Sequence, residues 1–160
     1  MEAFYQKTAT IFESKGFEVE RADFCRVKAE FDDTISRFES TGVDAIVTWH
    51  AAYSPSLESI EVLANTELPI IVFDSTPTEV FDQDAILAGA VSWNHGIHGV
   101  MDMCSMLKRY GKPYAIAAGH YLDGKCIDRV IGFVKSAIAA RKLKGMKVGL
   151  VKELFENVNE

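Results

Sequence analysis

The sequence predicts an α/β protein with a doubly wound, mostly parallel sheet, and three observations carry that reading. Residues 44–49, 69–74 and 114–119 are compact apolar runs of strand length, without the polar alternation of a half-exposed strand. Such runs suit strands buried on both faces. Between them, apolar residues recur every three or four positions, the period of a helix packed on one side. Glycines at 16, 42 and 111 then stand where those helical stretches should stop. Strands alternating with helices imply parallel strands joined by helical crossovers.

Taken in order, Phe4, Thr8, Ile11 and Phe12 share one helical face, closed by Gly16. Residues 17–24, FEVERADF, alternate like a half-exposed strand. Phe31, Ile35 and Phe38 line a second helix up to Gly42, and 44–49 is the first buried strand. Ser-Pro-Ser at 54–56 introduces a short helix marked by Leu57, Ile60, Leu63 and Ala64, before the strand 69–74. TPTE at 76–79 has the form of a capping box with proline at the first helical position. Residues 81–93 read as a short helix followed by a strand or loop. Ile97, Val100, Met101, Cys104 and Leu107 form a helical stripe ahead of the strand 114–119. A long helix follows through Ile127, Val130, Ile131, Val134 and Ile138, and 146–151 is a last strand.

This order is similar to the flavodoxin/Rossmann type of sheet, with its first strand lacking. The chain opens on a helix, where such a domain opens on a strand, and it closes with a polar tail just after a strand. The expected organisation is an N-terminal α/β domain over 1–143, incomplete at its start. The start of a further domain would occupy 144–160.

Composition narrows the function. A chain of 160 residues can bury a core of its own. Its net charge is −6, and no basic face of the kind that binds nucleic acid is visible. The cations of RKLKGMK at 141–147 suit a helix C-terminus. No run approaches the ~20 apolar residues of a membrane span, and MEAFYQK has no signal-peptide pattern. Three scattered cysteines without a CxxC fit a reducing cytoplasm and not a structural zinc.

In open parallel sheets ligands bind beyond the C-terminal ends of the strands. Three strand exits are rich in chemistry: TWHAAYSPS (48–56), FDSTPT (73–78) and AGHYLDGK (118–125). The stretch NHGIHG (94–99) opens a helix on the same rim, so all four histidines fall there. Plain readings stand beside these. Ser54 and Thr76 suit helix caps, Asp74 suits a turn, and Gly96 and Gly99 suit tight packing. His95, His98 and Asp102 are spaced i, i+3 and i+4. That spacing fits a metal site, a catalytic pair or a polar helix face. GxGxxG, GxxxxGK[ST], GxSxG and HExxH are all absent from the sequence.

The segments TWHAAYSPS, LPIIVFDSTP and NHGIHGVMDMCSMLKRYGKPYAIAAGH resemble the L-fucose isomerase and L-arabinose isomerase family in its L-fucose isomerase-like branch. The resemblance spans about residues 40–150. It rests on an aromatic-Ser-Pro after a Trp-bearing strand, an N-x-x-x-H-G helix start and a strand ending in Gly-His. It implies an aldose–ketose isomerase that moves a proton through a cis-enediol with a divalent cation, usually Mn²⁺. The implied substrate is a deoxyhexose or pentose, and the implied assembly is a homo-oligomer. The catalytic carboxylates and the metal site would lie beyond residue 160, so this chain would be inactive alone and hold no metal. What it would supply is part of a neighbouring subunit's pocket. Trp49 would pack on the sugar, and Asn94, His98, Gly99 and Asp102 would form the helix start that reaches it. His98 then reads as a hydrogen-bonding residue ahead of a metal ligand. Two departures stand out: His50 is one place off the family histidine, and Lys152-Glu153-Leu154 replaces a glycine-rich segment. The alternative is a stand-alone, non-catalytic sugar-binding or regulatory α/β module.

Overall fold

The computed structural model describes residues 2–87 and 89–150. Helix α1 (Glu2–Ser14) and helix α2 (Lys28–Thr41) precede strand β1 (Ile46–Trp49). A 3-10 turn (Ser56–Glu58) and helix α3 (Ile60–Asn65) lead to strand β2 (Ile70–Asp74). Helices α4 (Gln83–Leu87), α5 (Ala90–Trp93) and α6 (Gly96–Arg109) lead to strand β3 (Tyr114–Ala118), and helix α7 (Gly124–Leu143) follows. The strands form one open sheet in the order β1-β2-β3, both pairs parallel. Ile46 lies opposite Ile70, Trp49 opposite Phe73, and Asp74 opposite Ala118.

Strand alternation sorts the core into two clusters. Ile46, Ile70 and Val72 pack with Ile35 and Phe38 of α2, Ile60 and Leu63 of α3, and Val100, Met103 and Leu107 of α6. Ile71, Phe73 and Ala117 pack with Cys126, Ile127, Val130, Ile131 and Val134 of α7, and with Ile11 and Phe12 of α1. Central strand β2 therefore buries both faces: Val72 and Phe73 are 0 % exposed, and Ile70 and Ile71 are 2 % exposed. Each such side chain contributes about 1.5–3 kcal/mol. This explains why 69–74 reads as an unbroken apolar run. Gly42 ends α2 at φ 77° and donates its N–H to the Phe38 carbonyl, a left-handed turn that costs glycine little.

The sequence expectations fail at four places. Residues 17–24 form no ladder. Instead Phe17 packs with the α7 cluster and Ala22 with the α2–α3–α6 cluster. Tyr5 Oη donates to the Ala22 carbonyl at 3.0 Å, and Arg37 donates to the Arg21 carbonyl at 3.1 Å. The segment is pinned by side chains, because alternation specifies a face but does not supply a hydrogen-bonding neighbour. TPTE starts no helix: the Thr76 hydroxyl donates to the Thr78 carbonyl, and α4 begins only at Gln83. Residues 81–93 hold two short helices and no strand. The expected strand 146–151 has no sheet partner over 146–150, where Val148 is 87 % exposed and Leu150 is 89 % exposed. Val151 and the rest of the expected 144–160 unit lie outside the described residues. Helix α7 ends at Leu143, with Arg141 donating to the Val43 and Asp44 carbonyls ahead of β1.

Candidate functional site at the strand ends

The C-terminal ends of β1 and β2 carry the described buried side-chain polar atoms that have no protein hydrogen-bond partner: Thr48 Oγ1, His50 Nδ1 and Ser75 Oγ. An unpaired buried polar atom costs about 1–3 kcal/mol, so three at one rim mark a place kept polar at the expense of stability. Alternation puts Thr48 and His50 on the same side of β1 as Ile46, the side covered by α6. Burial pushes the His50 imidazole down to about 4, so the ring is neutral near pH 7. Burial also raises the Asp74 carboxyl above its ordinary range.

Two glycines seat α6 on His50. A Cβ at Gly96 would stand 2.3 Å from the His50 carbonyl oxygen, and one at Gly99 would stand 2.7 Å from His50 Cδ2 and 3.0 Å from the Ser54 nitrogen. Only a residue without a side chain allows this approach. The tight packing that the sequence suits these glycines to is what this contact serves.

The candidate residues are placed as follows. Asn94 is buried and works as a clasp. Its Oδ1 accepts from the Thr78 N–H at 3.1 Å, and its Nδ2 donates to Thr78 Oγ1 at 2.8 Å and to the Ala90 carbonyl at 2.6 Å. It fixes the loop after β2 against the approach to α6. Asp102 ties α6 to the 3-10 turn: its Oδ2 accepts from Ser56 Oγ at 2.5 Å and from the Ser56 N–H at 3.1 Å. Those two bonds hold its carboxyl below the ordinary range. Gly99 is buried under the first turn of α6. His98 is exposed, and its ring stacks on His95 with centroids 4.3 Å apart. Tyr53 meets His95 edge-on at 6.2 Å.

Trp49 lies on the other side of the sheet. Its Nε1 donates to the Ser75 carbonyl at 3.3 Å. Tyr5 stacks nearly parallel to the indole at 5.9 Å, with Phe4 at 4.7 Å and Phe24 at 6.4 Å. One indole face is therefore covered by α1. The expected pocket residues thus divide: His98, Gly99 and Asn94 gather at the start of α6, Asp102 points to the 3-10 turn, and Trp49 sits in an aromatic cluster beneath.

Among the described residues no three His, Cys, Asp or Glu side chains come together as a metal site. His95 and His98 face each other ring to ring, and Asp102 is committed to Ser56. Sequence reasoning missed Thr48, His50 and Ser75 as a group. Their only signal is that each falls at a strand exit; that they are buried and unpaired is a property of packing.

The four loops of this rim, 50–56, 75–78, 94–99 and 119–123, contain no lysine or arginine. They offer hydroxyls, imidazoles, amides and aromatic rings. The molecule is thus an α/β protein whose parallel sheet presents a polar rim at its strand ends, with Lys125 in the first turn of α7 beside it. A comparison with protein-family models finds no match to this chain, and a comparison with curated proteins finds none. Among the described residues no helix is long and apolar enough to cross a membrane.

Proposed function

We propose that the chain is the N-terminal region of an aldose–ketose isomerase of the L-fucose/L-arabinose isomerase kind. In this reading it contributes pocket residues to a neighbouring subunit of a homo-oligomer and is inactive by itself. The observation that carries the reading is the composition of the strand-end rim. Loops of hydroxyls, amides and aromatic rings beside a helix start bearing an exposed histidine suit a neutral polyhydroxyl ligand. A phosphorylated or carboxylated ligand calls for cations in the loops themselves, and the loops 50–56, 75–78, 94–99 and 119–123 hold no lysine or arginine. The carboxylates and Mn²⁺ that would move the proton belong to residues outside 1–160.

In this reading His98 donates to or accepts from a sugar hydroxyl. Asn94 and Gly99 act by holding the helix start in place, and Asp102 does so through Ser56. Trp49 reaches a sugar only where Tyr5 gives way, so its first role is to wall the strand end. The finer fold assignment belongs to the same proposal. Helices α1 and α7 pack on one side and α2, α3 and α6 on the other, as in a doubly wound flavodoxin-like sheet. Residues 17–24 form no ladder, and in this reading a further strand would pair with β1. Three free cysteines, Cys25, Cys104 and Cys126, support a cytoplasmic setting.

The test is carried out on the longer enzyme. His98→Asn is expected to lower kcat/KM for the aldose by roughly 5- to 150-fold, equal to about 1–3 kcal/mol, with Mn²⁺ affinity unchanged. In mixed oligomers a partner altered only in its own catalytic carboxylates should restore activity. Loss of Mn²⁺ binding in His98→Asn would overturn the reading of this residue. Isomerisation by the 160-residue chain alone would overturn the placement of the chemistry.

A further inference from the structure

We infer, resting on the sugar reading above, that Tyr53 set against His95 and His98 is the ring on which a neutral sugar packs at this rim, in place of Trp49. Trp49 is taken up within the molecule. Tyr5 lies nearly parallel to its indole at 5.9 Å, and Phe4 and Phe24 close on it at 4.7 and 6.4 Å. Its Nε1 is committed to the Ser75 carbonyl. Tyr53, by contrast, is 51 % exposed. It meets the His95 ring edge-on at 6.2 Å, and His95 lies against His98 with centroids 4.3 Å apart and planes inclined by 20°. Both histidines are exposed as well. Rings from the loop after β1 and from the start of α6 thus adjoin one another at the surface.

An exposed tyrosine alone would mean little; its anchoring sets this one apart. His50, three positions earlier, is held under α6, where its carbonyl oxygen abuts Gly96 and its ring abuts Gly99. Ser54, the next residue after Tyr53, brings its backbone nitrogen against Gly99 as well. Ser56 gives both its N–H and its hydroxyl to Asp102. The loop is therefore fixed on both sides of Tyr53 by contacts that its own ring does not make. The ring stands in water on an ordered backbone, so a ligand that meets it has little further chain to order. A phenol offers a flat apolar face to the C–H groups of a sugar and a hydroxyl to its oxygens. The His98 imidazole beside it adds a donor or an acceptor. His95 is a positioning residue: it lies between the two, with Tyr53 on its edge and His98 on its face.

NMR of the full 160-residue chain, with ring-labelled tyrosine, histidine and tryptophan, tests this with L-fucose and L-arabinose as probes. Either sugar, raised to ~100 mM to fill even a millimolar site, should shift the ring signals of Tyr53, His95 and His98 and leave the Trp49 indole in place. Tyr53→Ala should weaken binding about fivefold or more, and Tyr53→Phe by less, since the flat face remains. Should Tyr53→Ala lose the wild-type spectrum, Tyr53→Leu, which keeps apolar bulk without a flat ring, is held to the same criterion. Trp49→Phe should leave the affinity unchanged. His95→Gln should weaken binding and alter the pH titration of the His98 ring, whereas His95→Phe, which keeps a stacking face, should hold the affinity near wild type. Shifts centred on Trp49, an unchanged affinity in Tyr53→Ala, or silence of the three rings at the highest sugar concentration would each overturn the assignment of Tyr53. The isomerase reading stands or falls separately, on turnover and Mn²⁺ binding by the longer enzyme.

Discussion

His50 shows how a single residue can matter without a motif to announce it. Its backbone oxygen and ring abut Gly96 and Gly99, and its Nδ1 is buried without a partner. Burial depresses its folded-state pKa to about 4, while in the unfolded chain it titrates near the ordinary 6.5. Between those values the unfolded chain binds the extra proton, so acid favours unfolding. The stability linked to His50 is fully present above pH 6.5 and declines as pH falls toward 4. Over that window the loss should reach on the order of 2–3 kcal/mol. Asp74, with its raised pKa, works in the opposite sense: its contribution is present below its unfolded pKa and is lost as pH rises. Comparing wild type with His50→Asn therefore isolates the histidine. Urea unfolding at pH 7 and pH 5 should show a steep fall for wild type and a shallower one for the variant. Equal slopes would mean that the ring is solvated in solution.

At the scale of elements, the contact between α6 and β1 depends on an absent side chain. Gly99→Ala should destabilise by about 1–3 kcal/mol, since its methyl group meets the His50 ring and the Ser54 backbone. Gly132→Ala, inside α7 with nothing near its Cβ position, should stabilise by about 0.5–1 kcal/mol. The pair, measured by thermal or urea unfolding, separates packing from helix propensity; the same sign for both would show that α6 rides higher on His50 than described. Asp102→Ala should cost about 1–3 kcal/mol, because Ser56 is 2 % exposed and loses the acceptor for its N–H and Oγ. A neutral result there would make the 3-10 turn independent of α6. The same elements show how far sequence pattern reaches. The strand 70–74 was legible because burial on both faces leaves no other composition; 46–49 and 114–118 were legible as short apolar runs, although they are only partly buried and Ile116 is 38 % exposed. The segment 75–94 was not, because its shape comes from Asn94 reaching back to Thr78 and Ala90, a contact between residues up to 16 apart. For the site, His98 and Gly99 stood out by motif. The unpaired Thr48, His50 and Ser75 did not, since only tertiary burial makes a hydroxyl or imidazole an orphan.

For the whole molecule, the open question is what lies against β1. Strand β2 is paired on both sides, whereas β1 has a ladder only to β2. Residues 17–24 bridge the two helical layers through Tyr5, Arg37 and the packing of Phe17 and Ala22, and form no ladder with it. An unpaired edge in a parallel sheet leaves N–H and C=O groups without ladder partners. The chain should therefore be only modestly stable as a monomer, unfolding below ~65 °C, the upper end of the usual mesophile range. Otherwise it should gain stability with concentration as copies associate. A strand supplied beside β1 should change this. An N-terminal extension of five or six mostly apolar residues, joined ahead of α1 by a short loop, tests whether that flank accepts one. It should raise Tm by roughly 5–10 °C, the equivalent of about 2–3 kcal/mol in a chain of this size. A matched extension carrying proline at alternate positions cannot complete the ladder and should give no gain. If both extensions act alike, or if the unextended monomer melts sharply and reversibly above ~65 °C, the β1 edge is already satisfied and the seat beside it is not a strand position.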